Sequence, residues 1–208
     1  MTKKSKPTIS IILPVFNAGK FLHPALNSIL KQTFINWELI AIDDASTDRS
    51  LIILKEYANK DRRIRLFSFK TNRGISHTLN RALKHAKSNF IARMDADDVM
   101  FPDRLEKQLA YLQTHPHTLV VGGQCQVINH KGAVTGQKLF PTRHQDIYQL
   151  AFNRSPVQHP AIMVNRSLLP KDFVWYQTKF IPAEDLELFF RLFKYGRFAN
   201  LPDFVLKY

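Results

Sequence analysis

The chain has 208 residues, 45% of them apolar, and carries 30 Lys and Arg against 17 Asp and Glu, a formal charge of +13. That length can bury a real core and fits one domain or one and a half, and the longest apolar run, Ile9 to Phe16, is too short for a membrane helix and is broken by Pro14. The single cysteine, Cys125, excludes an internal disulfide, and its apolar, strand-like setting reads as a buried structural thiol rather than a reactive one.

The basic start, Met1 to Pro7, lacks the apolar length and small-residue cleavage site of a signal peptide, so a cytoplasmic protein is expected. The charge excess suits an anionic membrane surface, nucleic acid or an anionic small substrate. The positive residues are scattered, with no zinc-finger spacing and no aromatic-rich RNA-binding signature, so nucleic acid is not expected as a partner. A solvated basic surface and peripheral contact with an anionic membrane at its inner face remain.

In chain order, Thr8 to Leu13 is a β-rich apolar run, and Leu22, Leu26, Ile29 and Leu30 recur at helical spacing. Trp37 to Ile42 predicts a second strand, and Ser46 or Thr47 caps a helix carrying Leu51, Leu54 and Tyr57. Ile64 to Phe69 is a third strand, Ile75, Leu79, Ala82, Leu83 and Ala86 mark a helix, and Phe90 to Met94 is a fourth strand. Pro102 opens a helix through Leu105, Leu109 and Leu112. Such alternation predicts an α/β fold with a mainly parallel central sheet and helices on both faces. After residue 118 the pattern changes. Thr118 to Asn129 reads as a long strand, His130 to Gly132 as a turn, and Val134 to Phe140 as an antiparallel return. A helix over His144 to Phe152, a Pro-rich connection and a helix from Ala183 to Tyr195 follow. The whole reads as one domain, 1–208, with a nucleotide-binding half, 1–117, and an acceptor-binding half, 118–208.

Asp95, Asp97 and Asp98 form an acidic knot in a basic chain, directly after the fourth strand. Like charges this close repel unless neutralised, and hard divalent cations with a preference for oxygen ligands would neutralise them. Asp43-Asp44 follows the second strand, and in an open parallel sheet both strand ends share the edge where ligands bind. Two acidic clusters on one edge predict a metal-and-phosphate site. Taken singly, Asp43, Asp44 and Asp48 serve equally well as turn and helix-capping residues. Arg93 shares strand parity with Asp95 and balances the cluster.

Six segments, in order, carry a resemblance: Ser10 to Asn17, Ser28 to Phe34, Asp43 to Asp48, Asn72-Arg73-Gly74, Ile91 to Asp98, and Glu184 to Leu188. Together they span nearly the whole chain, which resembles the family 2 glycosyltransferases, inverting enzymes of the GT-A fold. The resemblance implies a sugar transfer from a nucleotide-sugar, UDP-linked, to a saccharide or lipid-linked acceptor in cell-envelope polysaccharide biosynthesis. It implies that Pro14, Phe16 and Asn17 at the first strand's end, with Asp43, hold the base and ribose. Asp95 and Ala96 then lie near the ribose and sugar, Asp97 binds Mg²⁺ or Mn²⁺ on the diphosphate, and Arg73 adds a positive contact. By the same resemblance Asp185 is the general base, in a first helical turn that favours its charged form, and His159 stands near the donor. Without it, capping is the favoured role for Asp185, and a surface role for Arg73 and a structural role for His159 stand equally open.

The chain departs from the pattern in two places. His23-Pro24 stands where relatives often carry acidic residues. Relatives usually continue past Tyr208 with an arginine and a histidine that complete the diphosphate site, so a chain lacking its C-terminal part is expected. The rival readings are a nucleotide-sugar-binding module without turnover and a nucleotidyltransferase. The latter usually needs a Gly-rich phosphate loop, and Pro14 to Gly19 holds one glycine.

Overall fold

The computed structural model describes residues 6–208, and these build a nine-stranded sheet with six α-helices. Strands β1 (Ile9–Val15), β2 (Trp37–Asp43), β3 (Ile64–Ser68) and β4 (Phe90–Arg93) lie parallel in the order β3-β2-β1-β4. Parallel neighbours need crossovers, supplied by α1 (Leu22–Leu30), α2 (Ser50–Lys60) and α3 (Ile75–His85). Then come β5 (Val99–Met100), α4 (Arg104–Thr114), β6 (Thr118–Ile128), β7 (Val134–Lys138) and α5 (His144–Leu150). The chain ends with β8 (Met163–Asn165), α6 (Glu184–Leu192) and β9 (Arg197–Lys207).

The expected mainly parallel sheet with helices on both faces is present. Its antiparallel share reaches further in than the β6–β7 return. Strand β8 lies antiparallel between β4 and β6, β9 runs parallel to β6, and β5 closes the edge antiparallel to β9. Side-chain alternation along the strands divides the core in two. Ile9, Ile11 and Leu13 face Leu26 of α1, Leu54 of α2 and Leu109 of α4. Ile12, Ile40 and Ile42 face Leu79 of α3, Ile147 of α5 and Phe189 of α6.

Helix α2 starts at Ser50 rather than behind Ser46 or Thr47, because both of those residues are bonded to the loop after β1. No helix of the described residues is long and apolar enough to cross a membrane.

A buried polar tie joins the halves of the sheet. Arg104 is wholly buried, and its Nη2 donates to the carbonyls of Arg93 (2.8 Å) and Ile162 (3.3 Å). Its Nε donates to Gln108 Oε1 at 3.1 Å, and Gln108 Nε2 donates to Ala161 O at 2.7 Å and Val121 O at 3.1 Å. Strand β8 therefore keeps its place beside β4 through side chains as well as backbone. Gln108→Leu conserves volume but strands buried donors and acceptors, each costing about 1–3 kcal/mol. Urea unfolding should show a lowered midpoint with unchanged slope; a parental midpoint would show that these bonds contribute nothing.

Candidate functional site

Two strand-end turns interlock along the edge formed by the C-terminal ends of β1 and β2. Asn17 (φ 50°) and Ala45 (φ 60°) both take left-handed backbone, which Asn tolerates and Ala does at a cost. The geometry is held by cross-loop bonds. Asn17 Oδ1 accepts the Thr47 N–H at 2.8 Å, and the Asn17 N–H donates to Ser46 Oγ at 3.0 Å. The Gly19 N–H donates to Asp48 Oδ2 and the Ala18 N–H to Ser50 Oγ, both at 2.9 Å. The residues that resembled helix caps thus shape the rim of a cleft.

The paired aspartates after β2 divide their work. Asp44, buried, accepts the Arg73 N–H on Oδ1 and the Gly74 N–H on Oδ2, both at 2.8 Å. This fixes the turn before α3, where Gly74 has φ 84°, a value that suits glycine. Asp43 is 1% exposed; its Oδ2 accepts the Ser46 N–H at 3.3 Å, and its Oδ1 is enclosed without a partner. A buried acceptor left unpaired is costly unless a ligand supplies a donor.

After β4, oxygens of Asp95, Asp97 and Asp98 lie within 4.8 Å of one another. Arg93 grips Asp95 at both oxygens, Nη1 to Oδ2 at 2.8 Å and Nη2 to Oδ1 at 2.7 Å. Burial still holds the Asp95 carboxyl above its usual range, with Arg93 opposing and Asp97 adding to the shift. Asp98 is pushed up to about 8, first by burial and then by Asp95 and Asp97, against the pull of Arg93 and Arg104. Its Oδ2 is enclosed with no partner. Exposed Asp97 and this unpaired Asp98 oxygen are the donor set a hard divalent cation takes, so the residues present fit such an ion.

An open cleft of about 430 Å³ runs between these loops. Of the residues expected at the site, it is lined by Pro14, Phe16, Asn17, Asp95, Ala96 and Asp97, with Phe16 51% exposed. Asp43, Arg73, His159 and Asp185 lie outside that lining. Asp43 sits beside Val15 in the strand register, and exposed Arg73 is joined to the site by its backbone. Asp185 is half-buried in the first turn of α6, its Oδ1 accepting the Leu186 N–H at 2.7 Å, while Glu184 Oε2 beside it is enclosed without a partner.

His159 is buried, and its Nε2 shares a 2.8 Å hydrogen bond with the Tyr176 hydroxyl. Burial, and then Arg93, hold this imidazole well below its usual range, so it is neutral. Burial raises the Tyr176 phenol, which also feels Arg93, Asp185, Asp95 and Glu184. The Tyr176 hydroxyl thus lies within electrostatic reach of both the acidic cluster and the start of α6. Tyr176 is fixed by Asn80, whose side chain bonds its N–H at 3.1 Å and its carbonyl at 2.8 Å. Neither Asn80 nor Tyr176 is marked by spacing or charge; a sequence offers no signal for partners 96 residues apart.

This mixed, mainly parallel sheet carries its acidic turns at the strand ends, the edge where ligands bind in open α/β sheets. The profile described as glycosyl transferase family 2 matches residues 10–173, and the chain belongs to that family. It is 38% identical over 207 residues to EpsE of Bacillus subtilis, covering 98% of this chain and 73% of that one. It is 28% identical over 186 residues to WfgD of Escherichia coli, named as a UDP-Glc:alpha-D-GlcNAc-diphosphoundecaprenol beta-1,3-glucosyltransferase, covering 89% of this chain and 70% of that one. The crystal structure of S. aureus TarS with UDP superposes with a TM-score of 0.81 at 26% identity over 97% of this chain, which spans only 60% of that one.

Asp44 gives the first site prediction. Each hydrogen bond it accepts is worth about 1 kcal/mol net, so in Asp44→Ala the Arg73 and Gly74 amides should exchange with deuterium roughly fivefold faster. Unchanged exchange at both would mean that the turn holds without Asp44.

Proposed function

We propose that the protein transfers a sugar from a UDP-sugar, with divalent-metal assistance and inversion, to a saccharide or lipid-linked acceptor in cell-envelope polysaccharide assembly. The observation that carries this reading is the acidic cluster Asp95, Asp97 and Asp98, of which Asp95 and Asp97 line the same cleft as the end of β1. The names of WfgD and of the TarS complexes with UDP and UDP-GlcNAc support the donor class, and that of WfgD supports a diphosphate-lipid acceptor.

In this reading residues 1–117 hold the nucleotide. The unpaired Asp43 Oδ1 accepts the ring N–H of uracil, and exposed Phe16 packs on the base. Asp95, oriented by Arg93, and Ala96 lie along the ribose and sugar. Asp97, with Asp98, holds Mg²⁺ or Mn²⁺, which when bound offsets the charge of the departing diphosphate. Arg73 adds positive potential above the cleft. Residues 118–208 form the acceptor side. There Asp185, in the first turn of α6 and bonded to the Leu186 N–H, takes the proton of the acceptor hydroxyl. That oxygen bonds the anomeric carbon on the face opposite the diphosphate, whose bond to the sugar breaks as UDP leaves. Neutral His159 positions Tyr176 within electrostatic reach of both groups.

Two measurements test the assignments. Calorimetry should show that UDP binds more tightly with Mn²⁺ than with EDTA, and that Asp97→Asn removes that gain, about tenfold or more, while melting like the parent. Equal affinity with and without metal would end the metal assignment. Asp185→Asn should lower the transfer rate about a hundred- to ten-thousand-fold and leave UDP affinity unchanged, with Glu184→Gln milder. Parental transfer by Asp185→Asn and none by Glu184→Gln would move the base to Glu184.

A further inference from the structure

A groove of about 670 Å³ lies away from the cleft, between the outer face of α3 and residues 171–175. Arg81, Lys84, Arg166 and Lys171 line it, and no Asp or Glu does. None of the four belongs to any ion pair of the described residues. Glu38, the acid whose charge reaches Arg166, is itself engaged by Arg65 at 2.7 Å. Lys84 and Lys171 are exposed. Arg81 donates to Ser68 O at 2.7 Å and Arg166 to Ala86 O at 2.8 Å. A guanidinium has five N–H donors, so each arginine keeps donors for a ligand while its stem is held in place.

The opposite wall is aromatic. Trp175 and Phe173 meet edge to face with ring centroids 5.4 Å apart. Their backbone is anchored twice: Arg191 of α6 donates to the Val174 and Trp175 carbonyls, and Asn80 of α3 holds Tyr176. The groove is therefore preformed and within the size range of ligand sites.

We propose that this groove is a second binding site, for an anionic saccharide chain. Unpaired arginine and lysine select carboxylate or phosphate groups. The indole face of Trp175, negative at its centre, suits the weakly positive C–H faces of sugar rings, while the Phe173 ring carries the Arg191 guanidinium 5.1 Å from its centroid. The choice of a saccharide rests on the transfer reading above: the strap 173–176 leads from this groove to Tyr176, which lies within electrostatic reach of Asp185, so an acceptor chain ending at Asp185 would run along it. The groove then grips the acceptor at a distance from the reacting end, which favours acidic over neutral chains.

The test is calorimetry with hexagalacturonate, set against neutral maltohexaose, inorganic phosphate, a hexanucleotide of single-stranded DNA and vesicles of anionic lipid. Hexagalacturonate should bind at least about tenfold more tightly than maltohexaose, and Lys84→Glu combined with Lys171→Glu should weaken it by about tenfold or more. Trp175→Leu should weaken it as well. Mn²⁺–UDP affinity should stay at the parental value in the double lysine variant, which also reports that it is folded. Equal binding of both oligosaccharides, no effect of the double variant, or tighter binding of the DNA, the phosphate or the vesicles would overturn the proposal. A parent protein that binds hexagalacturonate but not UDP would sink the transfer reading and leave the groove standing; the reverse result sinks the groove alone.

Discussion

Repulsion among Asp95, Asp97 and Asp98 is the constraint around which the rest of the structure is arranged. Their oxygens converge within 4.8 Å, and Asp98 is almost wholly buried. Two buried guanidiniums answer that charge. Arg93 bonds both oxygens of Asp95, and Arg104 lies within electrostatic reach of Asp98 without touching it. At Arg104, Nε bonds Gln108 and Nη2 bonds the carbonyls of Arg93 and of Ile162 just before β8, while Nη1 is enclosed without a partner. The charge balance of the site and the docking of β8 into the sheet are thus one network. The neutralisation is incomplete: burial and its acidic neighbours push the Asp98 carboxyl up to about 8, and its Oδ2 is enclosed without a partner.

The second constraint is positional. Parallel pairing of β1, β2 and β4 delivers three loops to one edge. Short polar side chains then lock the loops to one another instead of to the ligand. Asn17 spends its amide oxygen on Thr47, and Asp44 spends both carboxylate oxygens on the turn at residues 73 and 74. The residues left with unpaired capacity, Asp43, Asp97 and Asp98, are those that meet substrate or metal in the proposed reaction. Preorganisation of this kind lowers the ordering cost at binding.

The strands β1 to β4 and the helices between them were legible because their apolar residues recur with the periods of two and 3.6 that burial demands. Strand β9 was not. Pro202 and Asp203 interrupt it, and such residues argue against a strand. The structure accommodates them where the β6–β9 register shifts between Gly122 and Gln124. Strand β8 has three residues, too few to show any period. At the site, the acidic residues were legible from topology, since strand ends of a parallel sheet share an edge. The division of labour between Asp43 and Asp44 was not, because it depends on which carboxylate faces the turn after β3. The pairing of His159 with Tyr176 is likewise a tertiary contact that neither charge nor spacing announces.

The raised Asp98 carboxyl couples folding, protons and metal. A carboxyl at about 8 in the folded chain, against 3.8 in its ordinary state, makes the folded state hold a proton that the unfolded state has released. Across that window, stability from this group falls as pH rises. In the proposed reaction a divalent cation at Asp97 and Asp98 would oppose that loss, because it would replace the proton with a stronger counter-charge and bind only the folded arrangement. Proton and metal would therefore compete for one cavity. An ion that satisfies the Asp98 oxygen would remove a penalty already present in the fold.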